Sequence, residues 1–191
     1  MKRMDPCAFL LSTDARTGQV SGMAVTWMNR CDKTSWMVSV SQSSHTLELI
    51  RSSREFVLAL ASTTQADELT YFGSTKGASA SVNKLRDTGI HTEQFENTYI
   101  RTPMVVDAYR NIACKVGGIM PVSADYAIVY GTVVGQYDNP QAEQLFYCGK
   151  DEYGRRRYAT QHEYSAQPLQ IDDIVPTTLL APFVTSRRAA L

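Results

Sequence analysis

Residues 126–137, YAIVYGTVVGQY, constrain the fold more than any other stretch of the chain. Their Val- and Tyr-rich composition reads as a β-strand, and the run is about twice the length of an ordinary strand. Gly131 and Gly135 interrupt it, and glycines inside a strand mark bends or bulges. A long strand bent twice belongs in a curled sheet, so a barrel is the expected architecture.

The rest of the chain supplies partners for that strand. Residues 8–12 and 20–28 flank the turn sequence DARTG (14–18) and read as a hairpin. Residues 35–41, SWMVSVS, alternate Trp36, Val38 and Val40 with Met37, Ser39 and Ser41, giving one apolar face and one small, mostly polar face with room for a ligand. Leu47, Leu49 and Ile50 follow at helical spacing, which predicts a helix over residues 45–52 with a serine N-cap before it. The apolar run EFVLAL (55–60) is a further strand, and helical patterns return over 64–71 and 82–88, the second stopped by Gly89. Residues 73–77, GSTKG, read as a polar loop between them. Beyond Pro103, residues 111–116 and a pair around DEYG (151–154) complete a mainly β fold with short helices.

The partition expected is one domain over residues 1–160 and an extension over 161–191, broken by Pro168, Pro176 and Pro182, that packs on the domain or on a partner subunit. The 191 residues carry 19 basic and 19 acidic side chains, so no broad field gathers nucleic acid or an anionic membrane surface. No apolar run approaches the roughly 20 residues of a membrane span, and a soluble, cytoplasmic protein is expected. Cys7, Cys31, Cys114 and Cys148 form no metal-ligand spacing and read as reduced thiols; Cys31 also stands open as a redox thiol near the residue 23–28 strand. His45, His91 and His162 are far apart, and no metal site is expected. The chain has no GxSxG, HExxH, Walker-type or GxGxxG motif, which argues against hydrolase, zinc protease and nucleotide kinase chemistry.

Several ordinary-looking segments form a recognisable series when taken together. They are MAVTW (23–27) followed by Met28; MVSVS (37–41), a polar turn, His45 and Thr46; EFVLAL (55–60); YFGSTKG (71–77) with VNKL (82–85); TPMVV (102–106) through ACKV (113–116); and GTVV (131–134). Their order and separation over residues 5–160 resemble the flavin reductase-like, or flavoredoxin, family. His45 stands where the family usually has Arg, and Asn83 where it usually has Asp.

The resemblance implies an FMN-binding split β-barrel of Greek-key type, working as a homodimer. A hydroxyl-rich turn at a helix start suits a phosphate, because it offers hydroxyls, free backbone N–H groups and the positive end of the helix dipole. Ser44, His45 and Thr46 are the candidates there, with Lys84 either a phosphate ligand or a solvated helix lysine, and Gly73 and Ser74 closing the pocket. Ala24, Val25, Thr26, Trp27, Met28, Ser39, Val40 and Ser41 are the candidates for the isoalloxazine ring, and Trp27 and Met28 read equally well as core. The flavin itself carries the redox chemistry, so no acid–base dyad is required and catalytic residues stay unassigned.

Members that use NAD(P)H commonly carry Gly-Asp-His before the penultimate strand, whereas this chain has Ala124-Asp125-Tyr126. Two readings follow: an NAD(P)H-dependent FMN oxidoreductase with a small-molecule acceptor, or an FMN-bearing electron carrier reduced by a redox partner protein. A barrel that binds haem, or no cofactor, is a third.

Overall fold

The computed structural model describes residues 4–77, 82–96, 98–160 and 162–163. The extension expected over 161–191 therefore lies outside the described residues, apart from 162–163.

The strands in chain order are β1 (Asp5–Pro6), β2 (Ala8–Thr13), β3 (Val20–Val25), β4 (Met28–Arg30) and β5 (Ser35–Ser41). Helix α1 (His45–Ser53) leads to β6 (Glu55–Leu60), a single helical turn (Thr63–Gln65), α2 (Ala66–Ser74) and α3 (Lys84–Thr88). The second half holds β7 (Thr92–Glu93), β8 (Met104–Val105), β9 (Arg110–Pro121), β10 (Tyr126–Asp138), β11 (Leu145–Lys150) and β12 (Arg156–Thr160).

Seven strands form one antiparallel sheet in the order β3-β2-β6-β9-β10-β5-β4. Its two edges, β3 and β4, are consecutive in the chain and separated only by Thr26 and Trp27. One bent run thus pairs with β2 before the corner and with β5 after it, and Ser39 N–H donates to the Trp27 carbonyl at 2.8 Å across the join. This continuity curls the sheet into the expected split barrel. A smaller sheet, β1-β11-β12, and the β7-β8 pair lie outside it.

The bends in β10 have a packing cause. Register shifts fall at Tyr130/Gly131 and Val133/Gly135. A Cβ on Gly131 would stand 2.6 Å from the Phe56 ring and 2.9 Å from the Cys114 Cβ, so only glycine lets β10 pass this close to its neighbours.

β2 and β6 are buried along both faces, which explains their nearly unbroken apolar sequences AFLLST and EFVLAL. Ala8, Leu10, Phe56 and Leu58 point into the barrel, with Val38 and Val40 of β5 and Leu47 and Ile50 of α1. Phe9, Leu11, Val57 and Ala59 point outward against Leu69 and Phe72 of α2. Each such side chain contributes about 1.5–3 kcal/mol on burial. Helix α1 therefore packs its apolar stripe into the barrel core, and that docking brings its N-terminus beside β3.

Three sequence expectations shift at their boundaries. Helix α2 continues to Ser74, into the segment read as a loop, and α3 begins at Lys84 rather than at residue 82. Strand β9 runs on from Val116 to Pro121 because β10 supplies a partner for the extra residues.

Glu55 is a buried charge that fixes the loop before β8. Its Oε1 accepts from Arg101 N–H, Thr102 N–H and the Thr102 hydroxyl at 2.8, 2.9 and 3.1 Å, and its Oε2 lies 2.7 Å from Lys115 Nζ. Burial opposes ionisation, but the Lys115 ammonium and the two N–H donors outweigh it and hold the carboxyl below its ordinary range.

Candidate functional site

Three concavities follow one another along the β3–β4 run. The first, about 350 Å³, lies at Gly22–Ala24 between β3, the α1 N-terminus and the end of α2. The second, about 550 Å³, shares Ala24 with it and extends over residues 24–27 to the small sheet. The third, about 390 Å³, shares Thr26 and Trp27 with the second and reaches Asn29 and Ser39. Together they make a trough whose spine is one bent strand.

The first concavity is a cradle lined by hydrogen-bond donors. Ser44 caps α1 from an extended conformation, its side chain accepting from Leu47 N–H at 3.3 Å. The next two backbone N–H groups, of His45 and Thr46, have no acceptor among the described residues. They stand at the positive end of a nine-residue helix. Ser41 and Ser43 add hydroxyls 3.1 Å apart, and the His45 ring enters the lining with its Nδ1 3.2 Å from Glu48 Oε2.

Lys84 closes the opposite wall. It is almost fully buried, and its Nζ donates to the Gly22 and Phe72 carbonyls, each at 2.9 Å. An ammonium has three protons, so one remains for a ligand in the cradle it lines. Burial pushes its pKa down from 10.5 to about 8. The arrangement departs from the solvated-lysine alternative, since Lys84 joins the end of α2 to β3. Gly77 keeps the cradle open: a Cβ there would stand 3.0 Å from Ser21 Oγ and 3.7 Å from both His45 Cδ2 and Lys84 Cε.

The second concavity is aromatic. Trp27 and Tyr126 pack with ring centroids 5.4 Å apart at 53°, and Tyr147 and Tyr158 at 6.1 Å and 61°. At its corner Thr26 has neither backbone group nor hydroxyl bonded to another described residue. Cys7 also lines this cleft, but burial pushes its thiol up to about 12, which leaves it protonated and unreactive.

The sequence candidates distribute unevenly over the trough. Ala24, Ser41, Ser44, His45, Thr46, Gly73 and Lys84 meet at the cradle, and Val25, Thr26, Trp27, Met28 and Ser39 line the other two concavities. Val40 is different: it is fully buried in the barrel core and lines none of the three concavities. Ser74 turns back along α2, its hydroxyl donating to the Thr70 carbonyl at 2.9 Å. Cys31 lies at the exposed β4–β5 turn with Arg30, Asp32 and Lys33, and His91 stands 3.8 Å from Glu93 away from the trough. No group of metal-ligating side chains occurs among the described residues.

Sequence reasoning missed Gly22, Lys76 and Gly77 in the cradle, and Tyr147, Arg156 and Tyr158 in the cleft. The GSTKG run was a usable signal for Lys76 and Gly77; the cleft residues carry none, because a separate sheet delivers them.

The family model of the flavin reductase like domain matches residues 1–155. A search of the curated proteins found no match. Among solved structures, flavoredoxin from Methanosarcina acetivorans superposes with a TM-score of 0.70 at 18% identity, covering 90% of this chain and 92% of its own. Flavoredoxin of Desulfovibrio vulgaris (Miyazaki F) gives 0.68 at 15% identity, covering 87% and 90%. The NADH:FAD oxidoreductase of Streptomyces globisporus C-1027 gives 0.67 at 14% identity, covering 82% and 86%. These likenesses establish a shared fold.

Proposed function

We propose, for a chain that belongs to the flavin reductase like domain family, that it binds FMN along the β3–β4 trough and works as an NAD(P)H-dependent FMN oxidoreductase. The cradle carries this reading. A terminal phosphate needs several convergent donors, and here two helix N–H groups, the Ser41, Ser43 and Thr46 hydroxyls and one Lys84 proton converge on a space of about 350 Å³. The residues present therefore fit FMN, whose chain ends in a monophosphate.

Beyond that anchor, Ala24, Val25, Thr26 and Trp27 line the second concavity and would hold the isoalloxazine ring. Thr26 would offer its free N–H and hydroxyl to the ring edge, beside the Trp27 ring. Bound flavin supplies the hydride and electron transfer; the chain binds it, orients it and sets its surroundings. The exposed apolar residues Met120, Val122, Tyr126 and Tyr130 near the free end of the β9–β10 ribbon suit contact with a second copy, which supports a homodimer.

One observation favours the electron-carrier reading. Tyr126 occupies the position at which NAD(P)H-using relatives carry His, and its ring packs on Trp27 at the corner where a nicotinamide would approach. Anaerobic mixing of the FMN-loaded protein with NADH and NADPH separates the two. Bleaching of the flavin bands by either nucleotide is expected; no bleaching at millimolar nucleotide, with bleaching by a reduced redox protein, assigns the chain to electron transfer. No helix among the described residues is long and apolar enough to cross a membrane.

A further inference from the structure

The cleft beyond the cradle has a composition that flavin binding alone does not require. Its floor is the 24–27 corner, and Tyr126 together with Tyr147, Lys150, Arg156 and Tyr158 of the small sheet line it, beside Asp5, Cys7 and Leu69. Four aromatic rings thus border a space of about 550 Å³, within the range of small-molecule sites. Two cations, Lys150 and Arg156, share it with one acid, Asp5.

The two cations are held differently. The Arg156 guanidinium is anchored, one Nη donating to the Gly73 carbonyl at 3.0 Å, which leaves further N–H donors in its planar fork. Lys150 is exposed at the end of β11. The Tyr158 hydroxyl is fixed by Thr70 Oγ1 at 3.0 Å, so that ring is held in place and presents a preformed apolar face. A fixed guanidinium beside fixed rings selects a flat molecule carrying a carboxylate, because the fork matches two carboxylate oxygens while the rings stack the body.

We infer that this cleft binds a planar aromatic carboxylate and presents it to the flavin. The inference deepens the proposed flavin reading by naming the class of molecule that meets the cofactor; the presentation, though not the binding, rests on that reading.

The test is calorimetric titration of the full-length protein, incubated with excess FMN and then desalted, with benzoate, benzamide and benzylammonium, alongside a visible spectrum of the same sample. Benzoate is expected to bind at least about fivefold more tightly than benzamide, and benzylammonium not at all. Lys150→Met should weaken benzoate about fivefold and leave benzamide unchanged. Arg156→Met should weaken it at least tenfold, on the order of one charge-assisted hydrogen bond, with Arg156→Lys restoring part of the loss and unchanged circular dichroism excluding misfolding.

Equal binding of benzoate and benzamide, tighter binding of benzylammonium, or indifference of benzoate to both cation variants overturns the inference. A yellow sample that gives no benzoate heat overturns the inference and leaves the flavin reading standing. A colourless sample that binds benzoate with the expected variant pattern does the reverse.

Discussion

Replacing Lys84 by Met tests the cradle while separating its two jobs. In the free protein the ammonium gains two hydrogen bonds to buried carbonyls, at about 1.5–3 kcal/mol each for a charged donor. Against this stands the desolvation that lowers its pKa from 10.5 to about 8, a penalty of roughly 3 kcal/mol at 1.36 kcal/mol per unit. The balance is about 0–3 kcal/mol in favour of the lysine, so Lys84→Met should destabilise the free protein by no more than about 3 kcal/mol, read by urea unfolding. Phosphate binding has no such compensation: losing the remaining donor and its charge should raise the Kd for FMN about 10- to 100-fold. Riboflavin, which lacks the phosphate, should bind the variant and the parent equally. The pH dependence has a definite sign. Above about pH 8 the free protein's Lys84 is neutral, a bound phosphate favours its protonated form, and FMN affinity should fall as pH rises through 8, a dependence the variant loses. Folding behaves oppositely: between pH 8 and 10.5 the unfolded chain binds the extra proton, so Lys84 makes stability rise with pH over that window. Equal weakening of FMN and riboflavin, or unaltered FMN affinity, would refute the assignment of Lys84 to the phosphate.

Gly131→Ala drives a methyl to within 2.6 Å of the Phe56 ring, and chemical denaturation should show a loss of about 1–3 kcal/mol. Glu55 titrates below its ordinary 4.5, so its contribution is complete above that value and is lost as pH falls through the lower, folded value; Glu55→Gln should flatten the acid limb of the stability curve, measured by melting temperature against pH. Gly77→Val should weaken FMN at least tenfold by crowding Ser21, His45 and Lys84, with little effect on the melting temperature of the free protein.

Features fixed by local chemistry were legible in the sequence. EFVLAL gave β6 with its observed bounds, the serine cap placed α1, and Gly131 and Gly135 fall at the two register shifts of β10. What escaped depends on contacts distant in sequence. Helix α2 extends to Ser74 because Lys84 and Arg156 donate to the carbonyls of Phe72 and Gly73, and no pattern within residues 64–77 encodes those partners. Val40 entered the candidate list with its strand, yet the strict alternation of β5 turns it into the core while Ser39 and Ser41 face the trough. The sequence put the hydroxyl turn and Lys84 forward as a pair, and they line one concavity, whereas the buried, carbonyl-bound state of Lys84 was not legible.

The most direct measurement is the visible spectrum of the purified protein after incubation with excess FMN and desalting, followed by identification of the flavin released on heating. Retention of one oxidised flavin per chain, released as FMN and taken up in preference to FAD, is the result expected. A protein that stays colourless, or that retains FAD and rejects FMN, would contradict the phosphate cradle on which the account rests.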